Sequence, residues 1–438
     1  MTSRNALTVR SLVDCAIATL IMHSIAVSRP FHALSRKADS ECYRDLLPTT
    51  ESEESLQYNH HVMAASCVQL KALLVLGLIC VAAPSRGGEL NEASTPTPVW
   101  SADVVQDLSD VGRNPPKLAF LDNGHLIVSQ VTLDPSQLSS RKSVDTSSSF
   151  RLRLSVLDTS SGKIISTKEW GTRHLDTSVH VTSGGIVIRT GDLLRLCSKD
   201  FGEMATTPLS SDPNQGLEIR TSTTGKTVLL NTYHLNRTER VEFSRIDVLD
   251  GETLKPRITW VESPGIIDKF AITDKMIAAE RYENGRRMVV AEAFGSGMWN
   301  PLFELGGGAC SPARSGVFAT ESLLVCGSQE FVMSSTNGDI LMIDSFAKRN
   351  GSNTQMAAAQ DGGYVAVLLE EVRDLWDTGG RITSMRALVY DLSAKKRVMT
   401  VSISPPPKHD YDVALSPDGS KLAILNDHKV ILYPSRTP

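Results

Sequence analysis

Two kinds of β-hairpin recur through the body of this chain, and their alternation restricts the fold more than any single motif does. In the first kind a glycine precedes an apolar run: LAFLDNGHLIVS around Gly124, VHVTSGGIVIR around Gly185, LEIRTSTTGKTVLLN around Gly225, AAAQDGGYVAVLL around Gly363 and VALSPDGSKLAIL around Gly419. Glycine supplies the positive φ that tight hairpin turns require. The runs that follow are Val, Ile, Leu and Ala without clean polar alternation, the pattern of strands covered on both faces. The second kind carries an Asp with a Lys five places beyond it: VLDTSSGKIIST (Asp158, Lys163), VLDGETLKPRIT (Asp250, Lys255) and VYDLSAKKRVMT (Asp391, Lys396). An Asp side chain closes such a turn by accepting from backbone N–H groups just ahead of it. These residues therefore read as turn formers rather than as a catalytic series.

Taken as four-stranded units, the body divides at 116–177, 178–212, 213–262, 263–306, 307–350, 351–405 and 406–438. Repeats of about 40 to 50 residues made of four strands are the signature of a β-propeller. The expected fold is all-β, a seven-bladed β-propeller over 97–438. The last unit has three strands, YDVAL, KLAIL and VILYP, and then the chain ends; ahead of the first unit stands an unplaced strand, TPVWSADVV, at Thr97 to Val105. Its Trp100 matches the tryptophans that end the outer strands STKEW (Trp170) and RITW (Trp260). The N-terminal strand is expected to join the last blade and so remove the open edge of an incomplete sheet.

The hairpin LSPDGSKLAI resembles the inner hairpin of WD-repeat-like and TolB-like propellers, and VLDTSSGK is similar to the outer hairpin of bacterial propellers of the YVTN and quinoprotein-like kinds. The resemblance is to the repeat, over about 340 residues. It implies the propeller fold and no particular activity, because this fold hosts many unrelated functions.

Two apolar runs precede the body. Ser11 to Ser28 is interrupted by Asp14 and His23, both costly at bilayer depth. The run from Ala72 to Ala83 is unbroken, follows Met63 and Lys71, and suits the core of a signal peptide over 63–85, with cleavage after Ser85. Residues 1–62 read as a disordered leader or an over-extended start. The expected location is extracytoplasmic, secreted or periplasmic; the competing reading tethers the protein to a membrane through one or both runs. Lys and Arg total 45 against 49 Asp and Glu, a net of -4 with no dense basic stripe in the body, which argues against nucleic-acid binding. Cys197, Cys310 and Cys326 form no disulfide framework, although Cys310 and Cys326 could pair in an oxidising compartment.

No catalytic residues, metal ligands or cofactor are expected. After Lys163, Lys255 and Lys396 there is no docking tryptophan of the quinoprotein kind, and neither Gly-x-Ser-x-Gly nor His-Glu-x-x-His occurs. His174 and His180 read as solvated or strand-end residues more readily than as a metal pair. What stands out is three elaborated connections that should share one face of the ring: 132–149, 371–383 and 404–412, in neighbouring units 1, 6 and 7. Trp376 stands among charges in the second of these, and SPPPKHDYD stiffens the third. The candidate binding residues are Arg373, Trp376, Arg381, His409 and Tyr411, and the expected partner of the monomer is a protein or a small ligand. The alternatives are an enzyme with its site at the central channel, or a structural module of a cell-envelope complex.

Overall fold

The computed structural model describes residues 96–104, 115–133, 150–172, 176–209, 215–235, 241–262, 271–283, 286–304, 315–319, 322–326, 330–345, 352–373, 381–408 and 410–435. The expected leader and signal segment lie outside these residues, as do His174 and Cys310. Among the described residues are seven antiparallel four-stranded sheets and no helix. Six sheets take their four strands consecutively from the chain, within 117–172, 177–208, 215–262, 271–304, 315–345 and 352–403. The seventh consists of Tyr411–Leu415, Lys421–Asn426, Lys429–Pro434 and, outermost, Trp100–Asp103. First strands of successive sheets touch one another in a full circle, and that of the seventh touches that of the first. The fold is a seven-bladed β-propeller.

This topology separates two faces. Turns between first and second strands, and between third and fourth, lie on what is here named the turn face. Connections between second and third strands, and between blades, lie on the loop face. The middle strands are buried on both sides, as the unalternating apolar runs require: 365–369 in blade 6 and 422–425 in blade 7 are buried throughout. The outermost strand of blade 1, Ile164–Thr172, is exposed along most of its length. Cores form between blades. Ile127 and Leu154 of blade 1 pack with Ile186 and Ile188 of blade 2, while Leu126 and Leu157, from the other side of blade 1, pack with Leu425 and Leu432 of blade 7. Each such side chain contributes about 1.5–3 kcal/mol through removal from water, and each strengthens adhesion between sheets as well as within them.

The Asp turns form as their composition requires. Asp158 accepts from the N–H of Ser161 at 3.0 Å, Asp250 from that of Thr253 at 3.0 Å, and Asp391 from that of Ala394 at 2.9 Å. In each turn the fourth residue past the Asp has positive φ: Gly162 (71°), Leu254 (56°) and Lys395 (50°). Only the first has the residue suited to that region. The glycine-led hairpins vary too. Gly225 and Gly419 have φ of 71° and 68°, but Gly124 and Gly363 do not share that conformation, and in blade 6 it is Gly362 that does, at 73°. Gly124 and Gly363 instead donate N–H to Asp122 and Asp361, at 2.8 and 2.9 Å.

The three tryptophans share a face but not a level. Trp100 pairs opposite Leu432, Trp260 opposite Ile246 and Trp170 opposite Leu152. Counted back from equivalent backbone donors at the end of each third strand, Ser435, Gly251 and Thr159, these partners lie three, five and seven residues away. The match read from sequence is thus one of face, preserved by the period of two, with the position along the strand shifting. Each ring nevertheless reaches the next blade. Trp100 donates from Nε1 to the Thr159 carbonyl at 2.7 Å and lies over Gly162, where an added Cβ would sit 2.8 Å from the ring. Trp170 meets Phe201 edge-on at 5.8 Å, and Trp260 meets Phe294 at 6.1 Å.

Trp100→Ala is expected to cost about 2–3 kcal/mol in urea unfolding, because it removes both a ring packed on blade 1 and a hydrogen bond to it. Lys395→Gly is expected to stabilise by about 1 kcal/mol, relieving positive φ at a surface turn; a lower urea midpoint for this variant would contradict the reading.

Candidate functional site

The three elaborated connections spring from adjacent blades 6, 7 and 1 on the loop face, and the described residues at their bases are tied together. All three connections are shorter than their sequence suggests, the third because Tyr411 and Asp412 already belong to strand Tyr411–Leu415. Thr132 belongs to strand His125–Leu133, and the blade 6 strands run to Arg373 and resume at Arg381, leaving 374–380 between them. Those seven residues, together with 134–149 and His409, lie outside the described residues, and so does Trp376. Arg373 and Arg381 face each other across the blade 6 ladder, bringing these two expected site residues to one strand end.

Tyr411, the remaining candidate, is half-buried at the start of blade 7 and donates its hydroxyl to the Glu370 carboxylate of blade 6. It serves as a bolt between two loop bases. Beside it, Glu371 accepts from Ser384 at 2.6 Å and from Arg386 at 3.3 Å. The segment leading to Tyr411 is held from the other side: Asp427 accepts the N–H groups of Lys408 at 2.9 Å and Asp410 at 3.4 Å, and Asn426 donates to the Pro405 carbonyl at 3.1 Å. The next residue, Asp412, crosses to blade 1, accepting from Leu118 N–H at 2.7 Å and facing Lys117 Nζ at 3.5 Å. Burial pushes its carboxyl above the usual range, against the pull of Lys117 and Leu118. Glu370, Asp427 and Lys117 went unmarked in the sequence because each acts on a residue distant along the chain.

A cavity of about 510 Å³ lies on the ring axis, lined by first strands of blades 1, 2, 3, 6 and 7. Lys117, Thr177 and Asp412 line it at the loop face, and Thr223, Gln360 and Pro417 at the turn face. The turn face is spanned by one turn of blade 3. Thr223 donates to the Phe318 carbonyl of blade 5 at 2.8 Å, Thr224 to Asp274 of blade 4 at 2.9 Å, the Thr224 carbonyl accepts from Gln360 of blade 6 at 3.0 Å, and the Gly225 carbonyl accepts from Ser183 N–H of blade 2 at 2.9 Å. A single turn is thus bonded to four other blades. The described inner strand of blade 4, Ala271–Ile272, has two residues.

On the cavity wall, Ser178 and His180 occupy the same side of strand Thr177–Thr182, and Ser178 Oγ and His180 Nε2 are buried without a hydrogen-bond partner among the described residues. Burial, and then the Arg220 guanidinium, lowers the imidazole to about 4. Arg220 itself is paired with Glu218, at 2.7 Å from Nε and 2.5 Å from Nη2. No group of three or more His, Cys, Asp or Glu among the described residues is placed to hold a metal ion.

No family model matches the chain, and no curated protein matches it. Several solved structures are similar to it. The C-terminal WD40 domain of Sif2 is 14% identical with a TM-score of 0.45, over 78% of this chain and 99% of that one. A chain of the mitotic checkpoint complex is 12% identical with a TM-score of 0.47, over 78% and 96%. BamB from Moraxella catarrhalis is 14% identical with a TM-score of 0.40, over 77% and 99%. The seven four-stranded blades are consistent with WD-repeat-like and TolB-like repeats. At these identities the likeness reaches no side chain of either loop base or cavity.

The neutral imidazole has a consequence for stability. The unfolded chain binds the His180 proton near pH 6.5 and the folded protein only near 4, so folding is fully supported above 6.5 and weakens as pH falls toward 4. The loss by pH 4 is expected to reach about 3 kcal/mol. Asp158, held at about 2 by the hydroxyls of Ser160 and Ser161, adds a further loss below its ordinary 3.8. Urea melts between pH 7.5 and 4.5 check this: the slope should flatten in His180→Leu, and an unchanged slope would remove His180 from the account.

Proposed function

We propose that this protein is an exported, non-enzymatic binding module whose partner is a protein docking on the loop face over blades 6, 7 and 1. The carrying observation is the bonded frame beneath that sector. Tyr411 to Glu370 joins blade 6 to blade 7, Asp412 to Leu118 joins blade 7 to blade 1, and Asp427 holds the segment between. A frame ordered before binding spares a partner the entropy of organising it, so more of the contact energy appears as affinity. The connections expected to carry Trp376 and His409 leave from that frame, with Arg373 and Arg381 paired at the end of the blade 6 strands; Trp and Arg are the residue types that most often dominate protein interfaces. Export is supported by the apolar run from Ala72 to Ala83.

The test is comparative crosslinking in extract of the source cells. Trp376→Ala with Arg381→Ala is expected to reduce recovery of the partner about tenfold, the loss of roughly 1.4 kcal/mol or more that such anchors contribute. Val261→Ser, on the exposed rim of blade 3, should leave recovery unchanged. Equal recovery with the double variant and wild type would move the partner away from this sector.

A further inference from the structure

We propose that Glu262 and Glu292 share a proton across the seam between blades 3 and 4, forming a latch that is shut in acid and released as the pH rises. The two carboxyl groups come from different sheets. Glu262 ends the outer strand of blade 3, Pro256–Glu262, and Glu292 lies near the end of the third strand of blade 4, Arg286–Ala293. Glu262 is well supplied with donors: Trp260 Nε1 reaches one oxygen at 2.9 Å, while Trp299 Nε1 at 3.2 Å and Arg281 Nη2 at 3.1 Å reach the other. The Arg281 guanidinium also lies over the Trp299 ring, 4.1 Å from its centre. A cation and two indoles suit Glu262 to carry the negative charge of the pair.

Glu292 is completely buried, and only one of its oxygens is served. Oε1 accepts from Gly297 N–H at 2.7 Å, with Ser296 Oγ at 3.5 Å. Oε2 is buried with no donor among the described residues, and the side chain that Glu292 meets is Glu262. Two bare carboxylates in contact would repel one another in a site that water cannot screen. A proton on Oε2 turns that repulsion into a charge-assisted O–H···O bond and gives the last buried oxygen its partner. Burial first, and then Glu262, accordingly raises Glu292 above its ordinary 4.5, against the pull of the Gly297 N–H. Among the described residues, the charged group facing the pair is Arg281; on the other strands packed nearby Arg245 turns to Asp247, Arg257 to Asp250 and Arg286 to Glu304. The inner end of the seam is held separately, by Asp274 of blade 4 and the hydroxyls of Ser222, Thr224 and Thr227. Release of the latch therefore loosens the outer strands while the ring stays closed. Because the folded protein holds the Glu292 proton more tightly than the unfolded chain does, the seam has its full support below pH 4.5 and loses it as the pH rises through the raised value. This runs opposite to the effect of His180.

The two indoles bonded to Glu262 report on the latch directly. In NMR of the full chain, the Nε1–H signals of Trp260 and Trp299 are expected to move together with one midpoint above pH 4.5, while that of Trp100, bonded to a backbone carbonyl, stays in place. Glu292→Gln keeps a neutral N–H donor toward Glu262 and a carbonyl oxygen for Gly297, so it should abolish the movement. In urea unfolding, the unfolding constant of the wild type relative to that of Glu292→Gln should rise about tenfold per pH unit above 4.5, and level off once Glu292 is ionised in the folded protein as well. Indole signals that stay fixed in the wild type between pH 4.5 and about 8.5 would overturn the inference, and this titration is read whether or not the variant folds. The same movement persisting in folded Glu292→Gln would overturn it too, since the titrating group would then be another.

Discussion

Pairing of Trp100–Asp103 with residues 429–432 joins one end of the propeller to the other, and the remaining architecture depends on it. Without that outer strand the seventh sheet would show an edge of unpaired backbone groups, and blade 1 would lose the ring lying over Gly162. The bond from Trp100 to the Thr159 carbonyl makes the join shared between blades. Blades 7 and 1 are also the blades that carry the Asp412 contacts, so the same seam holds the ring together and shapes one wall of the axial cavity.

The two faces are organised by different means. On the turn face, short turns bond directly to one another, with the Ser222–Thr227 turn of blade 3 as the hub. Asp274 there collects three hydroxyls, from Ser222, Thr224 and Thr227. On the loop face, the described contacts fall at the bases of the connections. A rigid scaffold beneath variable loops is a common way to carry recognition, and here blades 6, 7 and 1 are bonded to one another at the loop bases, Tyr411 to Glu370 and Asp412 to Leu118.

Carboxylates recur in this organisation, yet their environments separate them. Asp158, Asp250 and Asp391 are exposed turn acceptors, held below their ordinary range by hydrogen bonds that outweigh any desolvation. Asp412 is buried and raised. Glu292 is likewise raised, first by burial and then by neighbouring Glu262, which itself accepts from the indoles of Trp260 and Trp299 and from Arg281. Residue type says little about charge here until the surroundings are known.

Division into seven units, the two hairpin kinds and the closing role of Asp in the outer turns were all legible in the amino-acid sequence, because each rests on interactions between residues a few places apart. A strand's period of two also made the common face of Trp100, Trp170 and Trp260 legible, but not their differing levels, which follow from register across blades. Tertiary structure alone decided that Tyr411 meets Glu370, that blade 3 spans the axis, and that Asp412 of blade 7 accepts from Leu118 of blade 1. These contacts join residues dozens to hundreds of positions apart, and no local pattern marks them: a propeller brings its inner strands together only when the ring is complete.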